Sequence, residues 1–288
     1  LRRRAVANPS LVQPASRDLA GRGYLRIERV AGQSAVTSTW ASSPLKILVP
    51  RARGPSVWAY LGSFGGGWVA GDQTRLELEL GEHARGFVST QASTKLYRNP
   101  TGRACEHQLR ATMAAGSRLV LIPDPIQAFA GSAYRQRQEF HLPADSGLVV
   151  VDWLASGRVA RGERWALTRF ESRTEVVVEN ERIFLDSLRL DPADGPLDSR
   201  YRLGRFNCLA LVLVLGDPLR AAGADLLQEM SSRPVTTRAT LVCSASPIPR
   251  GVVLRLAGEH LEEVTRVIRS RLAFVSTLLG DDPWSRKW

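Results

Sequence analysis

Apolar and polar residues alternate along much of the chain with a period of two, the pattern of strands buried on one face. Thr74–Leu80 (TRLELEL) is the clearest case, and Gly81 and Glu82 then turn the chain into a second run, Ala84–Gln91. The same plan of strand, tight turn and strand recurs downstream. Its further copies are Ala104–Met113 with Arg118–Ile122 around Ala115-Gly116, and Tyr134–His141 with Leu148–Ala155 around Asp145–Gly147. The last joins Trp165–Val178 to Ile183–Leu190 around Asn180-Glu181. Turn centres at residues 81, 115, 146 and 180 recur at intervals of about 30 residues, as in repeat units that stack because none buries its apolar face alone. The pattern predicts an all-β, mainly β fold of stacked, helical β layers. A large sandwich with evenly spaced hairpins is the alternative. No helical pattern separates these strands, which argues against a βαβ arrangement.

The last third changes character. A strongly apolar strand lies within Tyr201–Leu215, and Asp217-Pro218 reads as an N-cap followed by proline at the first helical position. The helix it opens runs to about Met230, with Leu219, Ala222, Leu226 and Leu227 on one side. Strands are expected at Val235–Cys243 and Gly251–Leu256. A second helix, from about Glu259 to Leu279, carries a stripe that includes Leu261, Val264, Ile268, Leu272, Val275 and Leu279. Two C-terminal helices therefore join the β layers. Without a long low-complexity linker, residues 1–288 read as one domain, with residues 1–20 as a flexible N-terminal tail. The opening LRRRAVANPSLVQPAS is basic but lacks an apolar signal core; a transit peptide and a frayed tail both stay open, as does the true start.

Composition narrows the function classes. A chain of 288 residues buries roughly 75% of its unfolded surface and needs no disulfides to hold a core. Cys105, Cys208 and Cys243 lie far apart with no CxxC pair, which suits a reducing, cytoplasmic location. The longest apolar run, Cys208–Leu215, is far short of the ~20 residues of a membrane helix. The 39 Lys+Arg against 28 Asp+Glu give a net charge of +11, which favours acidic partners. A basic nucleic-acid-binding β protein is thus one functional reading, although no RNP-like motif, KH loop or helix-turn-helix supports it. GxSxG, HExxH, P-loop and GxGxxG signatures are missing, so an enzyme is not expected. Cys105 and His107 share one strand face with Glu106 opposite. They would make up two-thirds of a metal site, but nothing nearby in the sequence completes it.

Local motifs go further. Gly65-Gly66-Gly67 permits unusual backbone conformations or close approach, and the chain there reads Gly66-Gly67-Trp68-Val69-Ala70-Gly71-Asp72. Thr90-Gln91-Ala92-Ser93-Thr94-Lys95-Leu96-Tyr97 follows, then Ile122-Pro123-Asp124-Pro125-Ile126-Gln127-Ala128-Phe129. A fourth segment is Ser156-Gly157-Arg158-Val159-Ala160-Arg161-Gly162-Glu163-Arg164-Trp165. Taken in order, these four segments resemble the urease accessory protein UreD family, called UreH in some species. The resemblance covers about residues 24 to 288. Ala128 departs from the pattern, because relatives often carry cysteine or another side chain there.

The resemblance implies a stacked, helical β scaffold for nickel insertion into apo-urease, a chaperone role without catalysis. It implies binding to UreF, through UreF to the GTPase UreG, and docking on apo-urease. No nucleic acid or membrane partner is implied, and a dimeric state within the accessory complex stays open. No cofactor is permanently bound; Ni²⁺ passes through transiently, by an internal tunnel. A relay has to bind its ion weakly enough to release it, and thiolate clusters would hold nickel too firmly. Asp72 and Glu163 are therefore the principal candidates for Ni²⁺ passage, with Thr90, Thr94 and Lys95 as lesser ones. For Asp72 a turn-capping role competes, and for Glu163 an ion pair with Arg161 or Arg164. Arg269, Trp284 and Trp288 are candidates for partner binding, since aromatic and Arg anchors dominate interface energies; the tryptophans could equally pack on the chain's own core.

Overall fold

The computed structural model describes residues 21–51, 54–232 and 234–286; the expected tail over residues 1–20 and Trp288 lie outside them. In chain order the strands begin with β1 (Arg22–Val30), β2 (Gln33–Ala41), β3 (Leu45–Leu48), β4 (Val57–Ser63), β5 (Gly67–Trp68) and β6 (Gln73–Leu80). They continue with β7 (Arg85–Thr90), β8 (Lys95–Leu96), β9 (Cys105–Met113), β10 (Arg118–Leu121), β11 (Ile126–Ala128) and β12 (Ala133–Leu142). The last are β13 (Gly147–Ala155), β14 (Arg169–Val178), β15 (Glu181–Leu190), β16 (Cys208–Leu215), β17 (Leu241–Ile248) and β18 (Gly251–Gly258). Three helices follow the solenoid strands: α1 (Arg220–Ser231), α2 (Leu261–Arg271) and α3 (Val275–Leu279).

Two sheets face each other. The first has the order β15-β14-β12-β9-β6-β1-β2, and the second β17-β18-β16-β13-β10-β7-β4-β3. The short strands β5, β8 and β11 form a strip beside the second sheet. Each solenoid turn contributes one strand to each large sheet, so β6, β9, β12 and β14 pair in parallel, as do β4, β7, β10 and β13. The expected stacking of β layers is therefore observed, but three of the four expected hairpins are not hairpins. Around residues 81, 115 and 146 the chain arcs from one sheet to the other, and each strand pairs with its equivalent one turn later. Of the four expected hairpins, the one between β14 and β15 is observed as an antiparallel pair. Alternation specifies which side chains point inward, and an arc satisfies it as well as a hairpin does.

The arcs are held by their own hydrogen bonds. Ser117 and Ser146 are fully buried, and both hydroxyls donate to the Ala114 carbonyl, at 2.7 and 2.8 Å. The inner faces meet in one apolar core that includes Leu76, Leu78 and Leu80 of β6 and Leu148 and Val150 of β13. A second core lies on the outer face of the second sheet, where Val149, Val151, Val212 and Val214 meet Leu226, Val264, Ile268 and Leu272. The second sheet is thus covered on both sides, which explains the unbroken apolar run of β16.

Three local expectations need correction. The strand placed at Val235–Cys243 runs over Leu241–Ile248, paired with β18. Asp217 does not cap α1: Asp217–Leu219 form a short 3-10 turn after Gly216, and the Asp217 carboxylate binds Arg220 and Arg250 instead. The long second helix breaks between Arg271 and Val275 into α2 and α3. The first lies against β16 and β18, the second against β7 and β10. Their apolar stripe is continuous, but following the second sheet requires a change of direction between them.

Candidate functional site

Along the inner face of the first sheet, apolar side chains give way to polar ones toward the strip of short strands. Strand register sets Thr74 of β6 beside His107 of β9, His107 beside Gln136 of β12, and Gln136 beside Ser172 of β14. Two residues further along, Gln138 of β12 and Thr174 of β14 make a second polar pair at 3.4 Å. Parallel strands place equivalent side chains roughly 4.8 Å apart, so the four form a polar row across the solenoid. From the facing sheet, Asp152 takes the inner position of β13 that Leu148 and Val150 occupy before it.

Hydrogen bonds tie the row to Asp152. Its Oδ2 accepts Ser172 Oγ at 2.7 Å and Gln136 Nε2 at 3.1 Å. Gln136 Nε2 also donates to Ser172 Oγ at 3.2 Å, and Tyr134 donates its hydroxyl to Gln136 Oε1 at 3.1 Å. Burial pushes the Asp152 carboxyl up; the Ser172 and Gln136 hydrogen bonds pull it down in part, and the Asp186 charge pushes it up further. At the other end of the row, His107 Nδ1 lies 2.8 Å from Thr74 Oγ1, and the ring stacks on Trp68 at 6.2 Å between centroids. Burial brings the imidazole down to about 4, so it is neutral at physiological pH.

This row faces open space. A cavity of about 120 Å³ is lined by His107, Gln136, Gln138, Asp152 and the loop from Thr90 to Thr94, with Gly62, Ser63 and Gly66 at the glycine-rich turn. A second cavity, of about 300 Å³, is lined by Asp152, Trp153, Ser172, Asp186 and Arg255 among others. Asp152 and Trp153 belong to the walls of both. On the far side Arg255 pairs with Asp186 at 2.7 Å. Among the described residues no three His, Cys, Asp or Glu side chains are grouped to hold a metal ion. The arrangement offers scattered oxygen donors and one imidazole rather than a closed metal cage.

Comparison with known proteins decides the family. The sequence model described as "UreD urease accessory protein" matches residues 20–288. The chain belongs to the UreD family. It is 46% identical over 271 residues to "Urease accessory protein UreD" of Sorangium cellulosum (strain So ce56), covering 93% of this chain and 85% of that one. It is 40% identical to the protein of the same name from Anaeromyxobacter sp. (strain Fw109-5), over 93% and 89% of the two chains. "Urease accessory protein D" of Oryza sativa subsp. indica is 32% identical over 92% and 95%. UreD proteins are urease maturation factors, not enzymes. No helix among the described residues is long and apolar enough to cross a membrane.

In this UreD chain the candidate residues fall in three places. Thr90 and Thr94 line the 120 Å³ cavity; the Thr90 hydroxyl donates to Asp124 Oδ2 at 3.0 Å and accepts the Asp124 N–H at 2.7 Å. Lys95 is exposed on β8 while its neighbour Leu96 points inward. Asp72 is half-buried in the turn before β6, where its carboxylate accepts the Val69 N–H at 2.9 Å. Glu163 lines a separate pocket of about 430 Å³ with Tyr97, Phe129 and Arg158. Its ion-pair partner is Arg158 rather than Arg161 or Arg164, because Arg158 reaches it across the Gly162 turn while Arg164 binds Asn207 and the Gly204 carbonyl. Arg158, and then the Ala130 N–H, hold the Glu163 carboxyl below its usual range. Cys105 is buried away from these spaces, donates to the Ala133 carbonyl at 3.3 Å, and burial pushes its thiol up to about 12. The free thiol is therefore protonated at physiological pH. Arg269 stacks over Trp284 at 5.5 Å, and Trp284 packs against the helix-side core.

Sequence reasoning passed over Asp152 and Gln136. Both left a signal: Asp152 is the sole charge in the apolar run Leu148–Ala155, and Gln136 and Gln138 occupy the inward positions of β12. A polar residue where alternation demands an apolar one marks either a hydrogen-bonded network or a lined space.

Proposed function

We propose that this UreD-family chain is a scaffold for inserting nickel into apo-urease, with Ni²⁺ moving through the polar interior of the solenoid. The observation that carries this reading is that two cavities, each walled in part by polar groups, share Asp152 in their walls. One carboxylate, hydroxyls and amide oxygens suit brief occupancy by a divalent cation, which has to leave as readily as it arrives. Retention would demand several thiolates or imidazoles together. The ion is cargo here, not a resident cofactor. In the same reading the chain binds UreF, reaches UreG through it, docks on apo-urease, and works in the cytoplasm. Asp72 and Glu163 belong to the proposal as outlying carboxylates, and Arg269 with Trp284 as a partner contact.

Co-expression with urease and the other accessory proteins tests it. Omitting this chain should leave nickel-free urease, and Asp152→Ala should impair activation while the accessory complex still forms. Normal activation by Asp152→Ala overturns the interior route. Normal activation by both Asp72→Ala and Glu163→Ala removes those two residues from it.

A further inference from the structure

We propose that His107 Nε2 is a nitrogen ligand for a late first-row divalent cation inside the solenoid, and thereby the element that prefers such ions over Mg²⁺ and Ca²⁺. The inference rests on the interior route proposed above and adds to it a binding point and a basis for selectivity.

Proton accounting around Thr74 comes first. The Thr74 hydroxyl has one proton, and it donates to the Glu106 carbonyl at 3.2 Å. This bond and the 2.8 Å contact between Thr74 Oγ1 and His107 Nδ1 are both satisfied only in the tautomer with the proton on Nδ1, where the ring donates to the hydroxyl oxygen. In that tautomer Nε2 keeps a lone pair. Among the described residues it has no hydrogen-bond partner, although the ring is part of the cavity wall. The holding of one ring nitrogen by a hydroxyl so that the other is presented is how histidine ligands are oriented.

The neighbour in the row does not fill the gap. Gln136 is the register partner of His107, but its Nε2 donates to Asp152 and Ser172. Its Oε1 accepts Tyr134 and retains a second lone pair. The row is thus hydrogen-bonded at both ends and interrupted at one point, where a basic nitrogen and an amide oxygen stand on adjacent strands beside open space. Trp68 against the ring restricts its rotation. A hard cation such as Mg²⁺ or Ca²⁺ takes oxygen ligands and gains little from imidazole, whereas Ni²⁺, Cu²⁺ and Zn²⁺ bind it well. One nitrogen among oxygens gives preference without permanent capture.

The test uses the full chain and NiCl₂, with MgCl₂ as control. In ¹⁵N-labelled protein, substoichiometric Ni²⁺ should broaden the ring signals of His107 before those of His83, His141 and His260, and Mg²⁺ should leave them in place. His107→Asn should bind Ni²⁺ at least tenfold more weakly by calorimetry, with Mg²⁺ affinity unchanged. Unaltered His107 signals at one equivalent of Ni²⁺ overturn the proposal, as does wild-type nickel affinity in folded His107→Asn. Should the variant fail to fold, the wild-type titration decides alone. Broadening at His107 combined with normal urease activation by Asp152→Ala supports the ligand and removes the interior route. The reverse pair of results overturns the ligand and leaves the route standing.

Discussion

Asp152→Asn separates charge from shape at a residue that lines both cavities. In the wild type, Oδ2 accepts Ser172 Oγ and Gln136 Nε2, and an amide oxygen accepts both equally well in geometry. A hydrogen bond to a charged acceptor contributes about 1.5–3 kcal/mol and a neutral one about 1, so the exchange gives up roughly 1–4 kcal/mol across the two bonds. Opposing this, burial disfavours the ionised carboxyl and raises its pKa, a penalty the amide escapes. The terms have opposite sign, so the net stability loss at neutral pH should be smaller than the hydrogen-bond loss alone. The pH dependence has a definite sign. A raised folded pKa means that the native state holds this proton more tightly than the unfolded chain, so wild-type stability falls as pH rises from about 4 through the raised value. The variant lacks that slope and gains on the wild type over the same window. A passing dication feels the lost charge far more strongly: about 4 kcal/mol per unit charge at ~4 Å with an effective dielectric of 20, hence about 8 for a 2+ ion before desolvation. Guanidinium denaturation across the window, beside urease activation, reads both effects. A loss above about 4 kcal/mol at neutral pH, or no pH slope in the difference between the two proteins, refutes the reasoning.

Further expectations follow from packing and charge. Gly216 has φ 109°, and a Cβ there would lie 1.8 Å from the Ser146 carbonyl oxygen; because the obstacle is backbone, Gly216→Ala should destabilise by more than about 3 kcal/mol, seen as a lower denaturation midpoint. Ile268, 2% exposed beneath α2, should cost about 2–5 kcal/mol as Ile268→Ala, measured the same way with an unchanged m-value. Glu163→Gln removes the pairing with Arg158. Since that pairing holds the carboxyl below its usual range, its stabilisation is present above the ordinary carboxylate pKa and disappears as pH falls through the lowered one. Acid titration of the variant, followed by circular dichroism, should therefore show a shallower loss of stability than the wild type.

The arginine-rich composition illustrates how a bulk property is reinterpreted by place. A net charge of +11 fits nucleic acid on its own terms, yet many of the arginines stand in ion pairs on the sheet surface. Arg135 alone bridges Glu106 and Glu171 across three neighbouring strands. Such exposed pairs add little stability, but each neutralises part of the cationic charge where it stands.

Period-two alternation and regular turn spacing were enough to read the stacked β body, and helical periodicity enough to place the two late helical regions, because burial of one face leaves its mark residue by residue. The motifs around Gly66–Asp72 and Ser156–Trp165 were likewise legible as family features. Pairing was not. Whether β6 meets β7 or β9 depends on which strand lies alongside, and alternation is identical in a hairpin and in an arc. The candidate site divided for the same reason. Thr90 and Thr94 reach the internal cavity, Asp72 caps its own turn, and Asp152, Gln136 and His107 become neighbours only when solenoid turns separated by about 30 residues come into register. Local chemistry is written in consecutive residues; a row assembled one residue per strand exists only after the chain has coiled.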